Sequence, residues 1–290
     1  MSAVIRAGLR GGTVHLALTE SGTLAGYTRW RPDAPDGVGD LRSGRITARA
    51  PALGGAFVDL GDGSGFLPDS AGGKHLAEGD AVAVRITRAP QGGKGPRLAL
   101  AEGVAPGAKP GLLARGPGPI SEFRALHPAA PILADDWELV ALLRAAHEGV
   151  AHDPASLAPV EEEIAALAEP VFPLPQGARG TVCPTPALTA IDIDAGAATA
   201  ERGDKHGAQL RLNRAIIPEL ARQIRLRNLA GAILVDFAGM KPAARPKLAP
   251  DLAAALARDP LRPRLLGFSA LGFAEISRPR IRPPLHELPP

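Results

Sequence analysis

Two short apolar runs that each end in aspartate constrain this chain more than any other feature. They lie within residues 181–240, TVCPTPALTAIDIDAGAATAERGDKHGAQLRLNRAIIPELARQIRLRNLAGAILVDFAGM. Leu188–Ile193 is broken by Asp192, with Asp194 two residues on and a small-residue turn, Ala195-Gly196, after it. Side chains alternate in direction along a strand, so Asp192 and Asp194 are expected on one side. Gly231–Phe237 is the second run and carries Asp236 at its end. Carboxylates on the ends of adjacent strands form a hard oxygen site, of the kind that holds Mg²⁺ with waters and phosphate. Two N-cap aspartates opening the segments that follow explain the same pattern.

Between the runs lies NRAIIPELARQIRLRN, residues 213–228. Apolar residues at 216, 217, 220, 221 and 224 recur at helical spacing and define a core face. Arg222 and Arg225 sit three apart on another face, which Arg211 and Arg214 extend if the helix is continuous. Pro218 predicts that it is not, or that a helix begins there. A basic helical stripe beside carboxylates suits a phosphodiester backbone near a metal. A solvated cationic surface suits it equally.

The segments ALTAIDID, LNRAIIPELARQIRLRNLAGAILVDFAGM and GFAEISRPRIRPPL, taken in that order, resemble the catalytic core of the ribonuclease E/G family. The resemblance is strong over 181–285, moderate over 42–89 and faint elsewhere. It implies that Asp192 and Asp236 are catalytic and bind Mg²⁺. Asp194 stands where the family has an asparagine supporting the same site, and is a third metal candidate. Arg222, Arg225 and Arg278 are candidate RNA clamps.

Residues 3–31 read as three short strands, VIRAGL, TVHLALT and LAGYTRW. The resemblance makes them the first part of an RNase H-like subdomain that acts as scaffold. From 44 to 100, GRITARAPAL, GAFVDLG, GSGFLPDS, AVAVRITRA and RLALA are separated by glycine turns, the composition of a small β-barrel. This part resembles the family's S1-type OB-fold, a barrel that stacks bases on aromatics and follows phosphates with cations. Phe57 and Phe66 match the family's paired phenylalanines, and Arg45 sits where a lysine is common. Lys94 and Arg97, in the loop 91–97, add two cations; a solvated hairpin would look the same. Core packing is the other reading of the phenylalanines, but with 7 Phe, 2 Trp and 1 Tyr in 290 residues their clustering favours RNA contact.

Glycine and proline make 101–130 a linker by composition. Family members insert a 5′-end sensor here with an Arg-Thr-Ala motif. This chain has no such motif, and Ala270 replaces an arginine of the same pocket, so sensing of a 5′-monophosphate is not expected. Residues 131–144 read as a strand and a helix capped by Asp135 or Asp136. An acidic helix over 160–168 follows, its Glu161–Glu163 run a solvated first turn rather than a metal cluster. Beyond Met240, a helix over 248–258 and a strand over 264–269 are predicted.

Residues 201–290 hold 16 Lys and Arg against 8 Asp and Glu, a balance of +8, which leaves −5 of the total +3 for residues 1–200. Such asymmetry fits a polyanion-binding half. A single cysteine, Cys183, excludes an internal disulfide and a cysteine zinc cage in one chain. No apolar run approaches the ~18 residues of a spanning helix, and the N-terminus does not read as a signal peptide. A cytoplasmic protein is expected, with no membrane partner. The family's Cys-Pro-x-Cys zinc link and dimerisation domain find no match, so zinc is not expected, and any oligomer would form without it.

The expected fold is α+β and multidomain. An RNase H-like subdomain (1–38 and, with a linker, 106–180) carries an inserted S1-type OB-fold barrel (39–105), and a DNase I-like α/β catalytic subdomain follows (181–285), with a tail at 286–290. The implied function is Mg²⁺-dependent endonucleolytic cleavage of single-stranded RNA. A metal-activated water attacks the phosphodiester and leaves a 5′-phosphate and a 3′-hydroxyl. The alternative is an RNA-binding relative with weak or no cleavage, to which Asp194 in place of Asn and Gly239 in place of a frequent Asp both point.

Overall fold

A computed structural model describes residues 2–196 and 205–288. The chain divides into two compact units. The first comprises Met1–Ser21, Thr28–Ser156 and Ile281–Pro283, the second Gly22–Tyr27, Leu157–Arg280 and Pro284–Pro290.

In the first unit, β1 (Ala3–Arg10) and β2 (Thr13–Glu20) form an antiparallel hairpin about Gly11-Gly12. The next strand, β3 (Thr23–Trp30), is divided between the units. Five strands then close into a barrel: β4 (Leu41–Ala50), β5 (Gly55–Asp59), β6 (Ser64–Pro68), β7 (Ala81–Arg88) and β8 (Arg97–Leu100). They run in the order β5–β6–β8–β7–β4, and β4 pairs back onto β5. Ile46, Val58, Leu67, Val84 and Leu98 point inward and make a separate core. The alternation of apolar with polar residues that marks these strands in the sequence thus separates the barrel's inside from its outside.

The glycine- and proline-rich stretch is more than a linker. It carries β9 (Gly111–Ala114), paired to β4, and α1 (Pro119–Leu126) with proline as its first residue. Strand propensity is low there, and pairing to a preformed barrel strand supplies what propensity lacks. Next come β10 (Ile132–Ala134), parallel to β1, then α2 (Trp137–Arg144), and β11 (Val150–His152), parallel to β10. Asp136 caps α2 by accepting from the Glu138 and Leu139 amides, so of the two predicted caps it is the second that serves. Asp135 instead accepts from the Leu9 amide and from Arg10.

The second unit holds α3 (Glu161–Ala166) and a six-stranded mixed sheet. Its strands are β12 (Val171–Pro173), β13 (Arg179–Pro184), β14 (Thr189–Asp194), β15 (Gly231–Asp236), β16 (Arg264–Phe268) and β17 (Ala274–Arg278), in the order β12–β13–β14–β15–β17–β16. Helices α4 (Lys205–Leu226) and α5 (Ala249–Leu256) share a core with one face of this sheet.

Pro218 lies inside α4, contrary to the break expected from it. Proline in a helix interior costs about 3 kcal/mol. Ile216, Ile217, Leu220 and Ile224 are at most 1% exposed, and each full burial contributes about 1.5–3 kcal/mol. Four such residues outweigh one proline, so the helix runs on through it.

Among the described residues no helix is long and apolar enough to cross a membrane.

Candidate active site and nucleic-acid interface

The two aspartates of the sequence pattern meet in the second unit. β14 and β15 are parallel, and their register pairs Ile191 with Val235 and Asp192 with Asp236. Ile191, Ile193, Ile233 and Val235 point into the core, so Asp192 and Asp236 necessarily point out of the opposite face. Strand neighbours lie about 4.8 Å apart, which sets the two carboxylates side by side. Asp192 is exposed, and the Asp236 side chain is 41% exposed. On the other side of Asp192, β13 places Thr181 in register with it. The outward row therefore reads Thr181, Asp192, Asp236.

Asp194 shares this face but stands one step along, opposite Arg179. Its Oδ1 accepts from the Gly196 amide at 2.9 Å and its Oδ2 from Arg179 at 3.1 Å. These two donors, the amide first, hold its carboxyl below the ordinary carboxylate range. Among the described residues no three His, Cys, Asp or Glu side chains converge as a metal cage. The geometry thus brings together Asp192 and Asp236 and leaves Asp194 engaged elsewhere.

Sequence reasoning missed the residue that touches this pair. Arg245 lies in a 3₁₀ segment, Pro242–Leu248, and donates through Nη1 to Asp236 Oδ1 at 2.6 Å. It is buried, and it also donates to the carbonyls of Met240 and Gly272, each at 3.0 Å. Asn213 was missed too. Buried on α4, it donates to the Gln209 carbonyl at 2.8 Å and the Ala238 carbonyl at 2.9 Å, tying the helix to the turn after β15. Its signal is a polar residue one turn before Ile216 and Ile217 on the apolar stripe. In that same turn Gly239 has φ +65°, and a Cβ would come within 2.6 Å of the Gln209 amide nitrogen. Any side chain at 239 would take up a left-handed backbone and push the end of the Gln209 side chain aside.

The three predicted arginine clamps each have hydrogen-bond partners within the second unit. Arg222 donates to both Glu219 oxygens, to Glu163 at 2.9 Å and to the Leu24 carbonyl at 2.6 Å. Arg225 donates to the Ala25 carbonyl at 2.9 Å. Arg278 pairs with Asp259 at 2.7 Å, each side chain only 3% exposed, and donates to Asn228 and Leu229 as well. A guanidinium fork offers several donors in one plane, and carbonyls and carboxylates of the fold take up some or most of them here.

The barrel of the first unit presents the other predicted set. Phe57 on β5 is in register with Phe66 on β6, which is in register with Arg97 on β8. All three lie on the barrel's outside. The rings meet edge to face, with centroids 5.5 Å apart and planes at 66°. Phe57 is 39% exposed and Phe66 half-buried. Phe66 can lie flat because Gly55 is beneath it; a Cβ there would come within 2.5 Å of the ring. Lys94 is exposed at the hairpin between β7 and β8, three residues from Arg97. Arg45, exposed on β4, donates to the Gly79 carbonyl and is in register with Asp59, so it stands two residues away from the Phe57 row.

With this geometry in hand, the likeness to known proteins is informative. The sequence profile of the Ribonuclease E/G family matches residues 143–281. The chain is 35% identical over 129 residues to ribonuclease E of Escherichia coli (strain K12), which covers 44% of this chain and 12% of that protein. It is 36% identical over 124 residues to ribonuclease G of the same organism, 42% of this chain and 25% of that one. A chloroplastic ribonuclease E/G-like protein of Arabidopsis thaliana is 33% identical over 126 residues, 43% of this chain and 13% of its own. The likeness to the Ribonuclease E/G family thus lies over residues 143–281, and the chain spans a minor part of the length of these relatives.

Proposed function

We propose that the chain is an endoribonuclease that cuts single-stranded RNA with Mg²⁺ held by Asp192 and Asp236. The observation that carries this reading is the register pairing of those two residues on the open face of the second unit's sheet. Two hard carboxylate oxygens with room for water and phosphate are the donor set that Mg²⁺ accepts. When bound there, Mg²⁺ supplies positive charge for the phosphoryl oxygens and acidifies water. The protein's own part is to align the carboxylates through β14 and β15, to anchor Asp236 through Arg245, and to hold RNA. For the last we assign the barrel as an S1-type OB-fold, with bases stacking on Phe57 and Phe66 and phosphates meeting Arg97 and Lys94. The RNase H-like and DNase I-like descriptions of the remaining parts belong to the same proposal, as does a cytoplasmic setting. Recognition of a 5′-monophosphate is left out of the proposal, because the turn between β16 and β17 offers Ala270, which carries no cation.

The test is incubation of the purified protein with an unstructured, A/U-rich RNA, in Mg²⁺ or EDTA, beside Asp236→Asn. Cleavage is expected only with Mg²⁺ and the native aspartate, with a loss of at least about a hundredfold in the variant. Binding without cleavage in every lane would replace the proposal by an RNA-binding role, a result to which the engagement of Asp194 and Asp236 with arginines would then speak.

A further inference from the structure

We infer that Arg245 is a positioning residue that sets both the orientation of Asp236 and the strength with which the carboxylate pair holds a divalent cation. This rests on the metal reading given above. Arg245 is no mobile surface side chain. Its Nε is fixed by the Met240 carbonyl and its Nη1 by the Gly272 carbonyl, so the guanidinium stands where the backbone puts it. From there it takes Oδ1 of Asp236 at 2.6 Å and leaves Oδ2 for other partners. A carboxylate on a single bond can spin; one whose first oxygen is tied to a buried fork presents the second in one direction. Neighbours that orient a ligand in this way tune metal sites.

The same contact has a second effect. A positive charge on Asp236 opposes any cation that shares it, with a force that only partial screening reduces. Arg179 does likewise for Asp194. The guanidiniums of Arg245 and Arg179 thus offset the carboxylates of Asp236 and Asp194 and weaken the face as a cation site on its own. RNA phosphate supplies the missing negative charge, so the cation is held firmly only with substrate present. Orientation thus favours turnover while charge lowers resting affinity.

The opposing effects make the test specific. Mn²⁺ is titrated into RNA-free protein and followed by loss of the free-ion paramagnetic resonance signal, for the native chain, Arg245→Met, Arg245→Lys and Asp236→Asn. The neutral Arg245→Met is expected to bind Mn²⁺ about tenfold more tightly yet to cleave RNA with a lower kcat. Arg245→Lys keeps the charge and loses the fork; native Mn²⁺ affinity with a reduced kcat and an unchanged KM is expected. Unchanged or weaker Mn²⁺ binding by folded Arg245→Met overturns the inference, leaving Arg245 as a tie between two loops. Should Arg245→Met fail to fold, native kcat in Arg245→Lys overturns it. The metal reading itself falls on a different result: no saturable Mn²⁺ binding by the native chain, or binding that Asp236→Asn leaves intact.

Discussion

Helix α4 and the outside of the barrel both offered polyanion-binding residues, and the structure treats them in opposite ways. At the end of α4 and just past it the arginines find acceptors inside the second unit, while Arg211 and Arg214 stay exposed. Arg227 is the fullest case: it donates to Gln223, to the carbonyls of Ala166, Leu167 and Glu169, and lies 5.4 Å from the Phe172 ring centre. Those carbonyls belong to the end of α3 and the turn after it, where a helix lacks internal donors. On the barrel, Phe57 stays 39% exposed beside Phe66. An arginine run is ambiguous because a guanidinium finds acceptors anywhere, in the fold or on RNA. A ring held on a surface has few structural reasons to be there.

Three measurements separate the two behaviours. The largest effect is expected from Arg278→Met, which strands the buried Asp259 carboxylate. Loss of about 3–5 kcal/mol is expected in the denaturant unfolding of the second unit; a surface-like loss below about 1 kcal/mol would return Arg278 to the candidate clamps. Next, Phe57→Ala is expected to weaken single-stranded RNA binding by about 1–3 kcal/mol with little change in thermal midpoint. Arg222→Ala should do the reverse, lowering stability by about 1–3 kcal/mol and leaving affinity and its salt slope alone. If Arg222→Ala flattens the salt slope at native stability, the contrast fails.

The smallest effect is a pH dependence confined to the first unit. Burial, then the charges of Arg29 and Arg10, push the His15 pKa down, and burial followed by Arg124 does the same to His147. A histidine with a depressed folded pKa binds fewer protons folded than unfolded, so its contribution is complete above the ordinary value of about 6.5. That contribution is lost as pH falls through the folded value. Unfolding between pH 7.5 and 5.5 should show the first unit weakening on acidification, and His15→Gln should make the curve shallower.

What the sequence revealed was local in origin. The strands of the barrel, β14, β15 and the apolar face of α4 follow from alternation, helical spacing and glycine turns, all read within about ten residues. The Asp192–Asp236 pair was legible because strand ends and parity fix where a side chain points. What stayed hidden depends on distant chain. The Leu24 carbonyl that takes Arg222 is 198 residues away, and no spacing rule reports it. β9 was masked by glycine and proline because its partner, not its composition, makes it a strand. Arg245 looked like one cation among several in KPAARPK; its position follows from a turn whose path the sequence does not encode locally. Pro218 misled because a local penalty was weighed without the burial that exceeds it.

The pairing that runs from Thr189 with Ile233 to Asp192 with Asp236 makes this site sensitive to chain length rather than to residue identity. Conservative exchange of the isoleucines and valines beneath it changes packing, while the carboxylates keep their direction. Removal of a single residue from β15 would turn Asp236 toward the apolar core and bring Phe237 to the open face. A one-residue insertion or deletion is therefore expected to abolish the carboxylate pair when placed within 189–194 or 231–236.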